Sequence, residues 1–122
     1  MDYVQASWTA LIFKGANMKD NKTRNGELIK EIHKLYLEKN AKYGNSFADA
    51  IKSWGYVAAG TQIEHKFNRI KQMIKTGCIF GEGEEETLRD NLRDIALYCL
   101  ITIMVLDEEL EELKVGAAAE EK

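Results

Sequence analysis

From Leu28 onward, apolar residues recur every three or four positions, the interval that keeps side chains on one face of an α-helix. Leu28, Ile32, Leu35 and Tyr36 predict a helix over 25–40, with Asn25 as its cap and Glu31 and Glu38 elsewhere on its surface. Gly44 breaks it. Asn45 or Ser46 can start a short helix carrying Phe47, Ala50, Ile51 and Trp54, closed by Gly55. A longer helix is predicted over 56–76, with Val57, Ile63, Phe67, Ile70 and Ile74 inward and Gly77 at its end. After the irregular stretch CIFGEGEEE a final helix is expected over 85–115, with residues 116–122 as a frayed tail. Before all of these, Val4, Trp8, Leu11 and Ile12 suggest a short helix, and KDNKTRNG a connector. The expected organisation is an N-terminal extension (1–23), a helical domain (24–115) and a tail.

The final helix changes character along its length. It is amphipathic to Asp94, apolar on nearly every side to Leu106, then reads DEELEEL with leucines at heptad-like spacing. A helix apolar all round is either central in a bundle or covered by another subunit, and in so small a chain that predicts a homo-oligomer.

Composition sharpens the fold class. In 122 residues there is no proline and 45% are hydrophobic, enough for one core, and helix-tolerant Glu, Lys, Leu, Ala and Ile dominate. The expectation is an all-α bundle of four to five helices with a long C-terminal helix. Seventeen basic and twenty acidic side chains leave a net charge of -3, which disfavours duplex nucleic acid as a partner. The longest nearly apolar run, from Ile95 to Leu106, falls short of the roughly 18 residues a membrane span needs. Cys78 and Cys99 lack a metal-knuckle spacing, Cys99 reads as core, and the N-terminus has no basic leader, so a cytoplasmic chain with reduced thiols is expected.

Candidate chemistry concentrates in EETLRDNLRDIALYC (85–99). Glu86, Asp90 and Asp94 recur every four residues as one stripe, with Leu88, Leu92, Ile95 and Cys99 opposite. The stripe is either a solvated face, paired with Arg89 and Arg93 at i,i+3, or a metal site. Elsewhere Lys39, Lys42, Lys66, Arg69 and Lys71 are cations that could meet phosphate or simply line wet helix faces, and His65 would attract phosphate when protonated. Tyr43 and Tyr98 could stack on a base, whereas Phe47 and Trp54 read rather as core. No P-loop or nucleophile elbow is present, and GEGEE carries acids that would repel phosphate.

Three stretches taken together, EKNAKYGNSF (38–47), EHKFNRIK (64–71) and ETLRDNLRDIALYCLITIMVL (86–106), resemble the nucleotide modification associated domain 1 family, common in bacteriophages and prophages. The resemblance covers roughly residues 26–108. It implies a small helical domain of nucleotide metabolism, similar in character to all-α pyrophosphohydrolases that hold magnesium on carboxylates of adjacent helices. Glu86, Asp90, Asp94 and Tyr98 match its E-x-x-x-D-x-x-x-D pattern and the following tyrosine. Lys39, Tyr43, Gly44 and Ser46 match K-x-x-x-Y-G-x-S, and Lys66 and Arg69 match K-x-x-R. Lys42 and His65 stand where members of the family often carry acids. Two functions follow as expectations. One is a Mg2+-dependent nucleotide hydrolase with Glu86, Asp90 and Asp94 as ligands and Glu31 or Glu38 as general base. The other is a non-catalytic sponge that sequesters a cyclic or signalling nucleotide of host immunity and needs no cofactor.

Overall fold

The structure, a computed structural model, describes residues 19–81 and 86–120. Among these residues the regular structure is all helical: α1 (Asn21–Tyr43), α2 (Ser46–Trp54), α3 (Val57–Thr76) and α4 (Leu88–Glu120). The helix anticipated near Trp8, and most of the GEGEE segment, lie outside the described residues. The chain divides into two compact units, 1–31 and 32–122, where the sequence pattern put a boundary after residue 23.

In the first unit, α1 starts earlier than Asn25. Asp20 caps it, its Oδ1 accepting a hydrogen bond from the Thr23 amide at 2.7 Å, and this bond holds the Asp20 carboxyl below its ordinary value. The polar run read as a connector is therefore helical from Asn21.

The second unit is built on α2, α3 and α4, which pack on one another. The glycines close the elements as expected. Gly44, Gly55 and Gly77 have φ of 65°, 83° and 77°, the left-handed region a Cβ disfavours. The Gly55 and Gly77 amides donate back to Ile51 and Ile74. The core is small: Ile51, Ala59 and Val105 are buried together, with Phe47 and Ala48 against them. Among the described residues Ile70, Leu97 and Asn91 are the other buried side chains.

Helix α4 turns differently from the sequence expectation. Its inward face carries Asn91, Leu97 and Val105. Leu92 and Cys99, expected inside, are exposed, and Asp94, expected on a wet stripe, is half-buried. Asp94 finds a cation on α3, Lys66, so it can face the bundle. A helix apolar on both sides does not announce which side is core. Phe67 and Ile74 of α3, also expected inside, are exposed as well. At its far end α4 continues through Glu120, past the predicted stop at Val115, because GAAAE contains three good helix formers in a row.

Candidate functional site

The break at Gly44 separates the end of α1 from the start of α2, and α4 packs on α2. Between them lies a cavity of about 850 Å³, to which α3 contributes Ala58, Thr61 and Gln62. From α1 it takes Tyr36, Lys39, Asn40 and Tyr43, from α2 Ser46, Phe47 and Trp54, and from α4 Tyr98, Ile101 and Val105. Its back wall is an aromatic pair, Phe47 and Tyr98, with ring centroids 4.6 Å apart. One end carries the ion pair of Lys52 with Glu108 at 3.1 Å. The Asn40 amide donates to the Asn45 side chain, tying α1 to the turn before α2.

A second groove, about 670 Å³, is lined along α3 by Gln62, His65, Lys66, Asn68, Arg69 and Gln72, with Tyr98 from α4. Tyr98 and Gln62 belong to both. Of the residues singled out in the sequence for binding, Lys39, Tyr43, Ser46 and Tyr98 line the cavity, and His65, Lys66 and Arg69 line the groove. Lys42 lines neither; its ammonium sits 5.3 Å above the Tyr43 ring. Trp54, read as core, is 77% exposed on the cavity rim. Asn40, Gln62 and Glu108 were not anticipated, since nothing in their local spacing sets them apart.

The acidic stripe is fully engaged in the protein's own contacts. The Asp94 carboxylate pairs with Lys66 at 3.0 Å, both side chains largely shielded from water. Glu86 pairs with Arg69 at 2.8 Å in an exposed position. Asp90 takes part in a reciprocal cap at the head of α4. Its Oδ2 accepts from the Thr87 amide at 3.0 Å and the Thr87 hydroxyl at 2.9 Å, while the Asp90 amide donates to Thr87 Oγ1 at 3.1 Å. The Thr87 bonds, and secondarily the positive charges of Arg93 and Arg89, hold the Asp90 carboxyl below its ordinary value. Among the described residues no three His, Cys, Asp or Glu side chains gather as a metal-binding group. Glu31 lies on α1 at the end of the first unit, and Glu38 is exposed on α1 and lines neither the cavity nor the groove.

No family model, curated protein or solved structure matches the chain. Among the described residues no helix is long and apolar enough to cross a membrane.

Proposed function

We propose that the protein binds a nucleotide in the cavity between α1, α2 and α4 and holds it without a metal. The observation that carries this reading is the cavity wall. In a space of about 850 Å³, of the size that small ligands occupy, it gathers five aromatic side chains (Tyr36, Tyr43, Phe47, Trp54 and Tyr98), the hydroxyls of Ser46 and Thr61, and the ammonium groups of Lys39 and of Lys52, the latter paired with Glu108. Aromatic faces accept a base by stacking, and the Lys39 amine and the Ser46 hydroxyl suit a phosphate oxygen. The adjoining groove adds the His65 imidazole and two cations, Lys66 and Arg69, which would exchange their present partners Asp94 and Glu86 for a second phosphate. The resemblance to a phage nucleotide-metabolism family supports the same ligand class, and a sponge for a cyclic or signalling nucleotide is the form of it that needs no catalytic group.

A second reading, hydrolysis with magnesium, draws on Asp94 and Glu86, the stripe carboxylates that contact the groove residues Lys66 and Arg69, Asp94 being the more shielded of the two. One experiment separates the two. The protein is incubated with nucleoside triphosphates and cyclic nucleotides, in magnesium or in chelator, and bound and released nucleotide are analysed by mass spectrometry. Chelator-resistant binding with intact nucleotide recovered, weakened about tenfold or more by Tyr43→Ala, is the expected result. Magnesium-dependent products lost in Asp94→Asn would make the protein a hydrolase instead, and no binding of any member of the panel would end the nucleotide reading.

A further inference from the structure

Leu92, Ala96, Cys99, Ile103, Leu106 and Leu110 follow one another along α4 at alternating intervals of four and three residues, and Leu113 continues the series. This is the repeat with which one helix presents a continuous apolar seam to another. The seam is bare in the structure: Leu92, Ile103 and Leu110 are each 52% exposed, Leu106 is 46% exposed, and Cys99 is exposed. The neighbouring helices pack on the opposite side, where Asn91, Leu97 and Val105 are buried. No seam residue lines the cavity or the groove.

We propose that the seam is covered by the same seam of a second copy of this chain, running antiparallel, with the two-fold axis level with Ile101. Two features of the sequence fit that register. Small residues meet large ones, Ala96 facing Leu106 of the second copy and Cys99 facing its Ile103, while Leu92 faces its Leu110. The two-fold repeats each layer, giving six over a length of about 27 Å. Charge agrees as well, because Arg93, which also reaches Asp90 of its own chain at 3.8 Å, flanks the seam beside Asp107 of the second copy, and the symmetry makes that contact twice. A parallel pairing would instead stack Ala96 on Ala96 and Cys99 on Cys99, leaving two thin layers, and would align the helix dipoles head to head. The surface is thus self-complementary in shape and charge in one register.

Sedimentation velocity over the micromolar range tests the pairing, with the full chain expected as a dimer. Leu106→Glu and, separately, Leu110→Glu replace exposed side chains, so helicity by circular dichroism should be unchanged while the dimer dissociation constant rises at least about tenfold. Register is read by oxidative cross-linking in a Cys78→Ser background. Adding Ile103→Cys is expected to give an interchain disulfide with Cys99, and Cys99 alone is expected to give none. A chain that sediments as a monomer throughout, which is also what covering by residues 1–18 of the same chain would produce, overturns the proposal. So does a dimer indifferent to both glutamates, or efficient cross-linking through Cys99 alone.

Discussion

Thr87 and Asp90 close two amide groups at the head of α4 against each other, and this pair decides where the helix begins. Thr87→Ala removes the N-cap oxygen and is expected to cost about 1 kcal/mol in urea denaturation at neutral pH. Asp90 adds a pH signature. Its folded carboxyl titrates below the ordinary value of 3.8, so its charged form contributes stability above that pH and loses it as pH falls through the lower, folded value. The stability gap between the native chain and Asp90→Asn should accordingly narrow in acid, and an unchanged gap at the lowest accessible pH would show that the cap is not formed. At the other end of the scale, the Tyr56 phenol donates to Glu109 Oε2 at 2.7 Å, and that bond pushes its pKa up to about 12 from 10.0. The contribution is present below pH 10.0 and lost as pH rises through about 12. Near-ultraviolet titration should show one late tyrosine that disappears in Tyr56→Phe. Capping chemistry of this kind was only partly legible in sequence: Asp20 and Thr87 use the same side-chain logic as Asn25, which was expected to cap and does not. Asp20, Asn25 and Thr87 differ in which amides lie within reach, and that is set by where the helix is packed.

At the level of elements, the glycine breaks were legible because Gly44, Gly55 and Gly77 take backbone angles that other residues resist. The facing of α4 was not, since apolar residues line both of its sides and only partners on α3 select one. Lys66 and Asp94 are that selection. Their side chains are 15% and 13% exposed, so removing one leaves the other shielded and unpaired. Asp94→Asn is expected to destabilise by about 1–3 kcal/mol, and a cycle with Lys66→Met should recover part of the loss. An additive cycle would mean that the pair is only a surface contact. Asn91 sits one helical turn earlier, 1% exposed. Its Nδ2 donates to the Thr87 carbonyl at 3.0 Å, and its Oδ1 has no partner. A buried acceptor without a donor costs stability that an apolar side chain of similar volume would not, so Asn91→Leu should raise stability by about 1 kcal/mol. A loss instead would mean that the Thr87 bond outweighs the orphaned oxygen.

For the whole molecule, the two sides of α4 have different surroundings. Tyr98, Ile101 and Val105 close the back of the cavity, while Leu92, Ile103 and Leu106 point the other way and leave a bare seam. The sequence carried the ingredients of both, in the match of Tyr43, Ser46 and Tyr98 to one motif set and in the leucine spacing toward the C-terminus. It could not place them on opposite sides, because that depends on which face α3 covers. The separation has a measurable consequence. A ligand that binds only the folded chain raises its thermal midpoint by mass action, and so does dimerisation, which makes the midpoint depend on protein concentration. Because no residue is shared between cavity and seam, the two increments should add: Leu106→Glu should abolish the concentration dependence and leave the shift produced by a saturating nucleotide unchanged. If the shift falls together with the dimer, the cavity must be completed by the second copy, and the binding site belongs to the pair of chains rather than to one.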